Sequence, residues 1–499
     1  MGLPENIIKS LEKEELRHIS RDVLGNENTQ IKKLFELIEE HGEDEEKISS
    51  RFRRSAPKAN LSIVRNKLQH ILLKGIEQLH ADDYKFAEVN SMLLQVRIFI
   101  DRSAFDVVKK LLDRALDIAK ENELFTQWLE LLEIKLHLYQ TKNYIEDDRS
   151  DVILNESKSV FAKHANHVAY RWLLFEQMQL MNNNFMLRNE ETKAKWEGIH
   201  KHVLLSGLDQ ALSKKAQIEY WIIRAQYFSI FQQYPDAQNC FKELVSLFES
   251  NAFLKRTRSM DYLWSNSQLA QISYFMRDSD SMLQALEAIK HAGKYNDLEQ
   301  VAAFTFYTNY GMAYYDLVND STALRTLLNE AHAGLRIWIS KIKPDARMAL
   351  LVSIVSVWIE WGEYENALGI MREFSDYIYT ENRLDVKIIL LFYELIAQIE
   401  SGNELMVNDT LQNFNRYLLR HDFKREFEQL MVRFLKIISS ASPDMKEELS
   451  VLKEQLLQLP DRSILDQHPV LYQILITMID SRLAGMKYHD YMESVKAQS

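Results

Sequence analysis

Histidine and carboxylate clusters and a lone cysteine are the features of this 499-residue chain whose types could do chemistry, and their spacing limits what that chemistry would be. His164 and His167 sit at helical spacing but lack the Glu of a zinc-protease helix and any third ligand nearby. In the run His200, Lys201, His202 the two rings would leave a helix on different faces. Both clusters are therefore expected at the surface or the edge of the core, with no metal. Glu146, Asp147, Asp148 and Asp151 lack the central Gly and the terminal Glu of a calcium loop and predict a solvated connection that opens a helix. Cys240 has no second cysteine to pair with, which fits a reducing compartment, and beside Phe241 it is expected to be a small buried hydrophobe. No Gly-rich phosphate loop and no Ser nucleophile elbow occurs. The chain is thus expected not to be an enzyme and to need neither cofactor nor metal.

Anion recognition is the other chemistry that the charges suggest. The formal net charge is −11, yet residues 47–76 hold eight basic residues and no acidic one. Arg51, Arg54 and Lys58 fall at i, i+3 and i+7, while Lys67 and Lys74 share another helical face with His70 between them, opposite an apolar stripe. Three readings of this patch stay open. It could contact nucleic-acid phosphates in a helix-turn-helix manner, dock against the acidic remainder or another protein, or be a solvated face. The second helix and the linker around Pro57 are both longer than that motif usually has.

The elements that must position these residues are helices. Only 13 Gly and 7 Pro occur, too few for a turn-dense all-β fold, and 46% hydrophobic with 27% charged residues is enough to bury a sizeable core. Apolar residues recur at helical spacing, as in Leu61, Val64, Leu68, Ile71, Leu72, Ile76 and Leu79, and no alternating run predicts a strand. Pro57 should separate a short basic helix, about 44–54, from a long one capped by Asn60. The first candidate unit is 1–80, three or four helices. The charged N-terminal stretch does not resemble a secretion signal, Asn6 misses the Ser or Thr of a myristoylation motif, and the uncharged apolar run 348–359 is too short to span a membrane. A cytoplasmic location without membrane contact is expected.

Beyond residue 80, breaks near Arg102, Asn143, Asn189, Tyr234, Asp278, Asn319, Glu363, Asn403 and Pro443 recur at about 40–46 residues, the length of two antiparallel helices and their turns. Within three of these intervals one register repeats. Ala225, Phe228, Ala237 and Phe241 have the same offsets as Gly311, Tyr314, Ala323 and Leu327, and as Val355, Trp358, Ala367 and Met371. A weaker copy is Val96, Phe99, Val108 and Leu112. A small residue midway along the first helix would let the small residue of the second helix approach, with the aromatic and the last apolar residue filling the space beside them.

On these residues the chain resembles the tetratricopeptide-like family of helical repeats over about 83–460. The resemblance implies an all-α, right-handed α-solenoid of antiparallel helix pairs, with helices longer than the family's usual ones. The segment 461–499 would add a capping helix from Pro469 to Met486 and a tail, its apolar stripe being otherwise a homodimer face. First helices of such arrays line a concave groove. The matching register nominates Gln226 and Ser229, Gln271 and Tyr274, Met312 and Tyr315, and Ser356 with Ile359. Amides, hydroxyls and aromatics there would suit an extended peptide. Ile222, Ser267, Thr308 and Val352 stand where chaperone-tail-binding members carry a basic clamp, so that ligand is not expected. The implied function is a non-enzymatic scaffold that binds a protein or peptide. The alternative is a peptide-responsive transcription regulator whose basic N-terminal unit touches DNA.

Overall fold

The computed structural model describes the chain apart from residues 1–2, 12, 26, 43, 81–83, 142–149, 184–189, 293–295, 381–383, 403, 422–425, 440–443, 460–468 and 497–499. The protein is all-α, with no strand among the described residues. The predicted breaks at Asn143, Asn189, Asn403 and Pro443 lie outside those residues, as do Glu146, Asp147 and Asp148. No described helix is long and apolar enough to cross a membrane.

Two compact units divide the chain between Ala165 and Asn166. The first contains α1 (Leu3–Ser10), α2 (Lys13–Gly25), α3 (Thr29–His41), α4 (Glu45–Ser55), α5 (Leu61–His80), α6 (Lys85–Asp101), α7 (Phe105–Glu121), α8 (Phe125–Gln140) and the start of α9 (Ser150–Asn183). Its first five helices share their own core, built from Ile19, Val23, Leu34, Phe35, Ile48, Phe52, Leu68 and Leu72. Asn60 does cap α5, its Oδ1 accepting from the Ser62 N–H at 3.0 Å, and Asp44 caps α4 through the Lys47 N–H at 3.0 Å. The core of these five helices ends within α5, while the compact unit extends through α6–α8.

The second unit continues with α10 (Glu190–His200), α11 (Lys214–Ile230), α12 (Tyr234–Glu249), α13 (Ala252–Thr257), α14 (Ser259–Phe275), α15 (Ser279–His291), α16 (Asp297–Leu317), α17 (Ser321–Trp338), α18 (Pro344–Glu360) and α19 (Tyr364–Glu373). It ends with α20 (Ser375–Thr380), α21 (Leu384–Glu400), α22 (Glu404–Arg420), α23 (Glu426–Ser439), α24 (Met445–Gln458), α25 (Pro469–Leu483) and α26 (Tyr488–Lys496). Successive helices pack as pairs: α11 with α12, α14 with α15, α16 with α17, α18 with α19, α21 with α22 and α23 with α24. First helices also lie against one another, α14 on α16, α16 on α18 and α18 on α21.

The turns from α11 to α12, α14 to α15, α16 to α17 and α18 to α19 share one construction. Gln232, Arg277 and Asn319 adopt left-handed backbone, with φ of 56°, 55° and 55°, and Gly362 and Gly402 take the same place with φ of 71° and 74°. The N–H of the next residue reaches back to a carbonyl in the last helical turn: Gln233 to Phe228 at 2.8 Å, Asp278 to Ser273 at 2.8 Å, Asp320 to Tyr315 at 2.9 Å and Glu363 to Trp358 at 2.9 Å. This is a Schellman closure, and the residue that completes it is also the cap of the following helix. Helix end, reversal and helix start are compressed into very few residues.

Candidate partner-binding surface

The nominated residues lie on α11, α14, α16 and α18, and the repeat register explains why these helices approach closely. Ala225, Ala237, Ala270, Val355 and Ala367 are fully buried. At Gly311 a Cβ would come within 2.9 Å of Leu327 Cδ2 and within 4 Å of no atom of Ala323, so the small residue of α16 is met by the later apolar position of the register on α17 and not, as expected, by its small one. A tighter approach, absent from the sequence register, joins the same helices at Gly334, where a Cβ would lie 2.2 Å from the Phe304 ring.

The column differs from one member to the next. Tyr274 is exposed, and Gln271 and Tyr315 are half-buried. Tyr315 is hydrogen-bonded to Tyr307, which with burial pushes its phenol up to about 12, and the Lys290 ammonium lies 5.6 Å over the Tyr307 ring. Gln226 is half-buried with an Oε1 that has no hydrogen-bond partner. The hydroxyls of Ser229 and Ser356 are turned back onto their own helices, to the Ala225 carbonyl at 2.7 Å and the Ser353 carbonyl at 2.9 Å. Met312 is only 3% exposed and Ile359 is fully buried, both within the core that runs from α16 to α26, so neither offers surface to a partner. Tyr315 and Ser356, each three residues from its buried neighbour and so on nearly the same side of the helix, are half-buried at the rim of that core.

Sequence reasoning passed over a buried polar row at the start of the first helices. Glu219 on α11 meets Arg258 at 3.0 Å and His167 at 3.8 Å, and Arg258 meets Asp261 at 2.6 Å. Burial alone would raise the Glu219 carboxyl, but His167 and Arg258 outweigh it and hold it below its ordinary value. One residue further, Ser259 Oγ donates to Glu299 Oε1 at 2.5 Å, and Asn296 Nδ2 donates to the same oxygen at 3.1 Å. The only signal in the sequence was an acidic residue interrupting an apolar stretch, as in Ile218, Glu219, Tyr220. This row fixes the starts of α11, α14 and α16 and leaves the column above it to vary.

The histidines and the cysteine stand in structural places. His200 stacks on Tyr227 at 3.8 Å, and burial lowers its pKa, keeping the ring neutral at pH 7. His202 accepts from the Leu204 N–H at 3.2 Å. Cys240 is buried, which pushes its thiol up to about 11 and keeps it protonated near neutrality. Among the described residues no three His, Cys, Asp or Glu side chains gather as a metal site. A cleft of about 430 Å³ between α22 and α23, lined by Leu418, Leu419, Glu428, Val432, Arg433 and Lys436, lies away from the nominated column.

The basic block is divided by the fold. Arg51 is paired with Glu40 at 3.0 Å, Arg65 with Glu5 at 2.9 Å and Glu45 at 3.1 Å, and Lys47 with Asp44 at 2.6 Å. The expected helical face of Arg51, Arg54 and Lys58 is broken, because α4 ends at Ser55 and Lys58 lies in the turn. Pro57 accounts for this, since it disfavours helical backbone at Ala56, whose φ and ψ are −138° and 65°. Lys67 and Lys74 are exposed on α5. No family model, no curated protein and no solved structure matches this chain.

Proposed function

We propose that α11–α24 form a tetratricopeptide-like solenoid, a non-enzymatic scaffold whose first helices present a groove to a protein or peptide partner. The close approach of Gly311 to Leu327 carries this reading. Both residues belong to the repeated register, and packing of first helix on first helix, as from α14 through α21, is how repeat arrays extend. Tyr274, Tyr315, Gln226 and Gln271 supply the recognition. The two phenols offer apolar area with a polar tip, and the Gln226 Oε1 is a buried acceptor without a donor, which a backbone N–H of a bound extended chain would satisfy.

The test is affinity capture from native lysate on the full chain, read by mass spectrometry and repeated with Tyr274→Ala/Tyr315→Ala and with Gln226→Ala. Helicity should be unchanged, and enrichment of the captured partner should fall by about tenfold or more for the double variant, as for loss of two anchor aromatics. Capture that is indifferent to all three substitutions removes the groove assignment.

A further inference from the structure

We propose that the α4–turn–α5 segment binds duplex DNA, with the exposed face of α5 in the major groove and the cations around it on phosphates. The ion pairs of this unit separate two classes of basic residue. Lys47, Arg51 and Arg65 are neutralised at home, and Arg65 clasps α5 to both α1 and the start of α4 through Glu5 and Glu45. Arg53, Arg54, Lys58, Lys67 and Lys74 are exposed, with no acidic partner among the described residues. These five crowd the end of α4, the turn and the first three-quarters of α5, where no acidic residue occurs before Glu77.

The register of α5 points the same way. Val64, Leu68, Leu72 and Gly75 face the bundle core. Ile63, Asn66, Lys67, His70, Leu73 and Lys74 lie on the opposite side, all exposed. Lys67 and Lys74 are two turns apart, about 10 Å along the axis, with His70 between them and Asn66 beside Lys67. Ile63, 53% exposed, and Leu73, 47% exposed, stand among these lysines. In a major groove such apolar groups meet thymine methyls, Asn66 and His70 can hydrogen-bond base edges, and the lysines reach phosphates on the groove walls. A membrane surface needs a continuous apolar stripe at the lipid, whereas the continuous stripe of α5 is spent on the core. An A-form RNA duplex has a major groove too narrow for a helix.

The experiment uses the full chain and fluorescence anisotropy with a labelled DNA duplex of about 20 base pairs, a matching RNA duplex, and vesicles containing phosphatidylserine, each across a salt series. The DNA duplex should bind most tightly, with affinity falling linearly in log salt. Lys67→Gln/Lys74→Gln should reduce the steepness of that line by about 2 and weaken binding at least tenfold at low salt. Lys33→Gln, which removes a cation paired with Glu36 on α3, should change neither. All these side chains are exposed, and thermal unfolding checks that each variant folds. The proposal is overturned by absence of DNA binding at low salt, by a slope unaltered in the double variant, by equal loss in Lys33→Gln, or by preference for RNA or vesicles.

Discussion

Asp278 shows how much one side chain can do in a turn this short. Its Oδ1 accepts from the Ser281 N–H at 3.0 Å to cap α15, and its Oδ2 accepts from Gln238 Nε2 at 2.8 Å, tying the turn of one pair to the second helix of the preceding pair. Hydrogen bonds from the Ser281 hydroxyl and backbone lead the stabilisation of the carboxylate, Gln238 and Lys242 add to it, and the carboxyl is held down at about 2. A folded-state value below the unfolded one means that the carboxylate stabilises the fold above the unfolded value of about 3.9, and that this contribution is lost as pH falls from there towards 2. Asp278→Ala should therefore cost about 1–2 kcal/mol at pH 7, with the gap to the parent protein shrinking towards pH 2. Urea unfolding at a series of pH values measures it, and a gap that does not move with pH would assign the loss to packing instead. The Asp was visible in sequence as a break between two apolar runs. Its partner Gln238 was not, because a buried amide looks like any polar residue on a helix until the neighbouring pair is in place.

At the scale of the helix pair, the scarcity of glycine has a structural explanation. Ser103, Glu123, Gln232, Arg277 and Asn319 all hold left-handed backbone where glycine would be at ease. For an L-residue that conformation costs about 1–2 kcal/mol, partly offset by the greater unfolded-state freedom of glycine. Gln232→Gly or Arg277→Gly should raise stability by about 0.5–1 kcal/mol, seen as a higher midpoint of thermal unfolding. Gly362 should respond in the opposite sense. Besides its φ of 71°, a Cβ there would lie 2.8 Å from His489 Nδ1 on α26, so Gly362→Ala should destabilise by about 1–3 kcal/mol. If all three substitutions shift the midpoint alike, left-handed geometry is not what governs these turns. The helix pairs were legible because a period of about 40 residues and the recurring small residues are local patterns. The reversals themselves were located but not understood: Tyr234 and Glu363 marked the places, whereas the residues bearing the unusual backbone are Gln232 and Gly362. A side chain's type says little about φ where the Schellman closure, made of backbone groups alone, imposes it.

Within the second unit, the C-terminal segment closes on helices far from it in sequence. The stripe of Leu471, Leu475, Met478 and Ile479 on α25 is buried inside the chain, and α26 packs on both α25 and α18. That α25 carries an apolar stripe was legible from the spacing of these residues. The return of α26 to α18 was not, since Tyr488 and His489 carry no pattern that names Tyr364 or Gly362 as neighbours. The segment is also fastened by charge: Arg482 on α25 donates to Glu400 at the end of α21, a carboxylate only 5% exposed. Burial dominates and raises the Glu400 carboxyl, with Arg482 the strongest influence opposing it. A raised folded-state value means that the carboxyl favours the fold most below its unfolded value of about 4.3 and that this advantage is lost as pH rises through the folded value. Taking the guanidinium away leaves a buried carboxylate uncompensated, so Arg482→Met should cost about 3–5 kcal/mol at pH 7. At pH 4, where Glu400 is largely protonated in both states, the cost should shrink towards that of lost packing. Adding Glu400→Gln to Arg482→Met should restore much of the pH 7 loss, because the orphaned charge is then gone. Denaturant unfolding of the three variants at the two pH values decides the matter. A loss of equal size at pH 4 and pH 7, or one that Glu400→Gln fails to relieve, would mean that apolar packing of α25 and α26 holds the segment without help from the ion pair.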